Sequence, residues 1–199
     1  MNSMQLLAVI PLVPLLAVLA IVATARWPNV RESASVLTGV LLFGLVVTLV
    51  GQVDPQAAPT CVLAEPLPGL SLALSPEPLG MLFALVASFL WPVTTVYAIG
   101  YMRAHHEENQ TRFYVAFAAS IAATMGIALS ANMLTLFLFY ELLTLATYPL
   151  VTHAGDDNAR RGGRVYLGLL LSTSIFFLLL AMIWTWLLTG TLTFTAGGV

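Results

Sequence analysis

The chain has 199 residues, of which 59% are hydrophobic and only 8% charged, a composition that excludes an ordinary soluble domain, intrinsic disorder and a fibrous repeat. Its seven basic residues are all arginine and face nine acids, a formal charge of -2, which leaves no basic surface for nucleic acid and excludes it as a partner. Cys61 is the single cysteine, so an internal disulfide framework or a thiolate metal cluster built by this chain alone is excluded as well.

A bilayer core of ~30 Å asks for roughly 20 mostly apolar residues per helix. Six windows of that kind follow in chain order: 5–25, 33–50, 79–100, 113–130, 132–152 and 165–188. They are continuously apolar, where barrel strands would alternate over about ten residues, so the expected fold is an all-α integral membrane protein with six transmembrane helices. Two parts are expected: residues 1–78, with two helices and an external loop, and residues 79–199, with four. The leader Met1-Asn2-Ser3-Met4 has no positive side chain and the first window is too long for a secretion signal, so it reads as a membrane helix.

Every arginine falls in an odd-numbered connection: Arg26 and Arg31 in the first, Arg103 and Arg112 in the third, Arg160, Arg161 and Arg164 in the fifth. The positive-inside rule then puts the odd connections in the cytoplasm and both termini outside, in a multi-pass protein of a bacterial inner (plasma) membrane with the lipid bilayer as its first partner. The second connection, 51–78, carries Asp54, Glu65 and Glu77 with six prolines and is expected to be external and irregular. Trp27, Trp91, Tyr97, Tyr101, Tyr114, Trp184 and Trp186 lie toward the window ends, where amphipathic rings favour the headgroup layer.

Of the charged side chains, fifteen are expected in connections or at window ends; Glu141 alone sits near the middle of a window, the fifth. An acid at a helix centre costs about 2.5 to 3.5 kcal/mol on insertion scales and is characteristically kept for a proton or ion path. The alternative is a neutral Glu that hydrogen-bonds a neighbouring helix and only holds the bundle together. At ~100° per residue, Thr144, Tyr148 and Thr152 fall within about 60° of Glu141 toward the cytoplasmic end, whereas Phe137 and Leu134 continue the same face as a dry stretch. Thr144, Tyr148 and, at the interface, His153 are therefore candidates for an inner half-path leading to Glu141. The threonines have a second reading, since a Thr hydroxyl in a membrane helix bonds its own backbone carbonyl.

Weaker features follow. Pro149 and Pro92 are candidate kink positions, and at most one or two residues of Ser172-Thr173-Ser174 could meet Glu141, with helix packing the simpler explanation. His105 and His106 are adjacent and diverge on any regular element, so no metal site is expected. The spacings give no phosphate loop, Ser-His-Asp set or haem ligand pair, so no cofactor is expected and no redox or hydrolytic site is assigned.

Four pieces carry a family resemblance: Tyr97-Ala98-Ile99-Gly100-Tyr101-Met102, Arg112-Phe113-Tyr114, the run from Asn132 through Tyr140-Glu141 to Tyr148, and Gly190-Thr191-Leu192. Together they resemble the antiporter-like proton-translocating membrane subunits shared by respiratory complex I, Mrp-type cation/proton antiporters and membrane hydrogenases. The membrane subunit of bacterial inorganic-carbon accumulation complexes looks related too, and residues 139–161 look most like the Mrp D-type subunit. The match covers 97–193 clearly, and the first two helices only by position.

The resemblance implies that a glutamate at the position of Glu141 pairs with a lysine on a broken seventh helix and modulates its proton affinity. It also implies about fourteen helices with two inverted repeats. Glu141 carries over; the lysine does not, because this chain has none and shows six windows. The reading is thus the N-terminal part of a partial antiporter-like subunit, whose missing repeat and lysine come from other membrane subunits unless the sequence is a truncated or split product. Its cargo would be protons, with sodium or inorganic carbon as alternatives, and the complex would be of the Mrp or NADH-quinone oxidoreductase type. The competing readings are a structural or assembly subunit without transport chemistry and, less favoured for want of a nucleophile or metal partner, a membrane-embedded enzyme with Glu141 as general acid.

Overall fold

The computed structural model describes residues 2–53, 58–67 and 69–195. Among these residues, six helices are long and apolar enough to cross a membrane, as the windows predict: α1 (Ser3–Ala23), α2 (Pro28–Gln52), α3 (Pro78–Ala104), α4 (Gln110–Ala128), α5 (Met133–Val151) and α6 (Asp157–Thr189). Their starts are set by local chemistry. Asn2 and Gln5 form a reciprocal capping box on α1 (2.9 and 3.1 Å). Proline opens α2 and α3, where its missing N–H costs nothing, and the side chains of Asn132 and Asp156 accept the Thr135 and Ala159 amides to cap α5 and α6.

Two starts differ from the sequence windows by five residues or more. Helix α2 begins at Pro28 rather than 33, which puts Arg31 and Glu32 on its first turns, and α6 begins at Asp157 rather than 165, which puts Arg160, Arg161 and Arg164 on the helix instead of in a loop. Hydropathy alone trims such ends, because long basic side chains can stay helical while their charged heads reach water.

Helix α1 packs against α2 and α4, α2 against α3, α3 against α4, α4 against α5, and α5 against α6. The core draws Leu7, Ile10 and Ile21 of α1, Leu42 and Leu49 of α2, Trp91 of α3, and Tyr114 and Met125 of α4. Small residues allow the closest crossings, as expected where lipid offers no hydrophobic drive. A Cβ on Gly80 would strike the Ala128 carbonyl, and one on Gly126 would strike the Phe139 ring. Gly126→Val is therefore expected to lower stability by about 1 to 3 kcal/mol through overpacking, read as a fall in the thermal unfolding midpoint in detergent, with partial recovery when Phe139→Ala is added.

The second connection is not irregular throughout. Among its described residues, β1 (Cys61–Leu67) and β2 (Leu70–Leu74) form an antiparallel hairpin. The alternation Leu70-Ser71-Leu72-Ala73-Leu74 is a period-2 signal, and Gly69, at φ +80°, supplies the left-handed turn residue. The hairpin does not stand free. Ala73 O accepts from Ala131 N at 2.9 Å, Leu129 O from Ser75 N at 2.7 Å, Leu192 O from Met133 N at 2.9 Å and Ala131 O from Phe194 N at 3.2 Å. These bonds join the even-numbered connections and the segment after α6 into one rim. The odd connections gather at the opposite end of the bundle, where Arg31 reaches Gln110 and Thr111, and Arg112 reaches the Thr152 and His153 carbonyls.

Pro92 and Pro149 lie inside α3 and α5, and Pro92 sits against Gly39 of α2. In α6, Ser174–Leu179 forms a π turn. It follows three side-chain bonds to the same stretch of backbone, Thr173 Oγ1 to the Leu169 and Leu170 carbonyls at 2.9 Å and Ser174 Oγ to the Leu171 carbonyl at 3.1 Å, the kind of competition that loosens the α ladder. Ser172 and Thr173 are exposed and Ser174 is buried, so the polar patch serves the helix itself.

Candidate proton-transfer site

Glu141 lies in the middle of α5, partly buried, on the border between two flanks of the helix. On one side of its azimuth stands Thr144, 4% exposed; on the other, Leu138 and Leu145 are 43% and 52% exposed. One carboxylate oxygen, Oε1, is fully enclosed and has no hydrogen-bond partner among the described residues. An enclosed oxygen without a partner is costly in any folded protein, and in an apolar setting the cost is greatest for the charged form.

The candidate half-path is a face of the helix rather than a chain of mutually bonded groups. Thr144 Oγ1 donates to the Tyr140 carbonyl at 3.1 Å and Thr152 Oγ1 to the Tyr148 carbonyl at 3.0 Å, the self-bonding already expected of membrane threonines. Tyr148, one helical turn beyond Thr144, borders an open cleft of roughly 470 Å³ shared with Asp157, Arg160, Arg161 and Arg164 of α6. Gly163 permits this closeness, since a Cβ there would strike Thr152 and touch the Tyr148 ring at 3.1 Å.

His153 follows the last turn of α5 at the odd end. Its ring packs edge-on to Phe113, centroids 5.7 Å apart, and both ring nitrogens are enclosed without a hydrogen-bond partner among the described residues. Arg112 Nη2 donates to its backbone carbonyl at 2.9 Å. His105 Nδ1 lies 3.0 Å from the Tyr101 carbonyl, and no group of three or more metal-ligating side chains occurs among the described residues.

Two arrangements escaped the sequence. Thr147, next to Thr144 on the packed flank of α5, pairs with the Tyr166 hydroxyl of α6 at 3.1 Å, a bond across helices that no spacing rule reveals. The second is ionic. Expected at a window end, Arg31 and Glu32 are 4% and 3% exposed. Glu32 Oε1 accepts from Arg31 Nη2 at 3.3 Å and from Arg103 Nε at 3.4 Å, and Glu32 Oε2 pairs with Arg103 Nη2. Arg31 also donates to Thr111 Oγ1 and Gln110 Oε1, both at 2.9 Å, and its guanidinium lies 5.2 Å from the centre of the Tyr114 ring. The signal was Trp27-Pro28: a proline at the first helical position places Arg31, and Ser35 one turn on, along one inward face.

Residues 130–197, which include Glu141, match the family model described as NADH:quinone oxidoreductase/Mrp antiporter, TM. Over 91 residues the chain is 30% identical to the Na(+)/H(+) antiporter subunit A1 of Staphylococcus aureus (strain bovine RF122 / ET3-1), an alignment covering 46% of this chain and 11% of that protein. Two solved structures superpose on nearly all of it at 18% identity. One is a chain of the membrane-bound sulfane sulfur reductase, an archaeal respiratory membrane complex, with a TM-score of 0.77 over 95% of this chain and 38% of that one. The other is a chain of the Mrp complex from Dietzia sp. DQ12-45-1b, with a TM-score of 0.76 over 96% and 20%. The fold is shared with these two chains of membrane complexes.

The superpositions extend the shared fold to α1 and α2, which the sequence resemblance reached only by position. The curated relative described above is an A1 subunit, where residues 139–161 had suggested the D type. This chain spans about a tenth of that relative's length, 11%.

Proposed function

We propose that this chain acts as a membrane subunit of a multisubunit proton-translocating complex of the Mrp or complex I type, with Glu141 taking up and releasing the proton. The observation that carries the reading is the enclosed, unpartnered Oε1 of a mid-helix carboxyl group, placed where the packed flank of α5 meets a row of exposed leucines. Helices of the remaining repeat would cover those leucines and bring the lysine that the resemblance implies within reach of the carboxyl group. Protons would approach from the odd end, past His153 and Tyr148 beside the arginine-lined cleft. Because the threonine hydroxyls are engaged with backbone carbonyls, water between Tyr148 and Glu141 would do the carrying. Protons are the cargo in this reading, with sodium as the exchanged ion where the complex is an antiporter. The test is Glu141→Gln in the assembled complex, with proton-coupled transport as the readout.

The same reading places the odd end in the cytoplasm, in a bacterial plasma membrane, with the hairpin outside. Cys61 reports on this directly, being the one thiol and partly accessible in β1. A membrane-impermeant maleimide is expected to label it from the outer side of intact cells. Labelling confined to inverted vesicles would reverse the orientation.

A further inference from the structure

On the lipid-facing side of α2 and α3, remote from α5 in the packing order, a groove of roughly 460 Å³ opens at the odd end. Its upper wall is polar, with Asn29, Glu32, Ser33 and Arg103; its lower wall is apolar, with Val36, Leu37 and Ile99. Leu37 is 68% exposed, whereas the arginine at the mouth is anchored from behind by buried Glu32.

The electrostatics of the mouth are specific. Two guanidinium groups, Arg31 and Arg103, against one carboxylate, Glu32, leave one net positive charge. Arg31 is almost fully enclosed and spends its terminal donors on Glu32, Gln110 and Thr111. The uncompensated charge is therefore presented by Arg103, whose side chain is half exposed. Its Nε and Nη2 are committed to Glu32 and Asn29. Nη1 has no partner among the described residues, and neither has the Ser33 hydroxyl beside it. Arg26, Glu107 and Glu108, charged residues of the adjoining connections, do not line the groove.

We propose that this groove between α2 and α3 seats one anionic phospholipid, its phosphate on Arg103 Nη1 and Ser33 and its first acyl methylenes along Val36, Leu37 and Ile99. A single phosphodiester charge neutralises the single surplus positive charge, and the change from polar to apolar wall down the groove matches the change from headgroup to acyl chain. A soluble acidic peptide would satisfy the mouth but leave the lower wall in contact with water, which the bilayer already excludes. Glu32 is a positioning residue here, since it holds the Arg103 guanidinium at the rim instead of letting it extend into solvent.

The experiment is a lipid inventory by native mass spectrometry, on the chain purified with its co-purifying subunits in nanodiscs of phosphatidylcholine and phosphatidylglycerol. About fivefold enrichment of phosphatidylglycerol among the retained lipids is expected for one interfacial charge. Ser33→Glu cancels that charge from an exposed position without touching the ionic cluster, so it leaves folding intact and brings the enrichment down to about one. Arg103→Gln should do the same. Enrichment that survives Ser33→Glu, an unaltered chain that shows none, or a partner subunit cross-linked through the groove in place of lipid would each overturn the proposal.

Discussion

Glu141→Gln is expected to lower proton-coupled transport by about two orders of magnitude or more, the usual scale for loss of a positioned proton-transfer group, while the subunits still assemble. Glutamine keeps the size and planarity of the side chain and removes only the exchangeable acid. Assembly should be spared because the enclosed Oε1 makes no hydrogen bond among the described residues, so none of them loses a partner when it is replaced, and the glutamine amide oxygen can still accept from the lysine of the remaining repeat. Glu141→Asp should retain part of the activity, since it keeps the acid and withdraws it by one methylene. Transport is read as ion-driven pH change in inverted vesicles, and assembly as co-purification of the complex. Normal transport by the glutamine variant would remove Glu141 from the mechanism and leave a structural or assembly role.

The second large effect belongs to the ionic cluster at the other side of the bundle. Glu32→Ala leaves the Arg31 guanidinium buried with its charge uncompensated, and breaking a buried pair in this way costs about 3 to 5 kcal/mol. The expected result is a collapse in folded yield and in thermal unfolding midpoint in detergent. Removing both charges is milder: Arg31→Met with Glu32→Leu should recover much of the loss, because the desolvation of both ions disappears together. Arg103→Gln should cost less than Glu32→Ala, since Arg103 is half exposed and water replaces part of what it loses. Equal losses for Glu32→Ala and the double variant would mean that shape rather than charge holds α2, α3 and α4 together here.

Number and order of the transmembrane helices were legible because lipid imposes one rule, continuous apolarity over a fixed length, and this chain obeys it six times. The grouping of arginines into alternate connections was equally legible, and the bonds from Arg31 and Arg112 across those connections bring them to one end. The hairpin was hidden by its prolines and acids, although Leu70, Leu72 and Leu74 carried a strand's alternation. Within the site, the isolation of Glu141 among leucines could be read from a one-dimensional pattern. Whether Thr144 and Thr152 face a water path or bond their own carbonyls could not, because both arrangements have the same spacing and differ only in a rotamer. The Arg31–Glu32–Arg103 cluster depends on three elements meeting, and hydropathy counts its members simply as interruptions.

The rim that caps α5 imposes an order on biosynthesis. Asn132 and Thr135 can engage Ser71 and Ala73 as soon as the fifth helix emerges, but the amide of Met133 waits for the carbonyl of Leu192, and the carbonyl of Ala131 waits for the amide of Phe194. With the chain made from its N-terminus, those last two bonds form only after the sixth helix has threaded the bilayer. Until then the start of the helix bearing Glu141 lacks its bonds to Leu192 and Phe194, so a ribosome paused within α6 would hold the nascent bundle only partly latched.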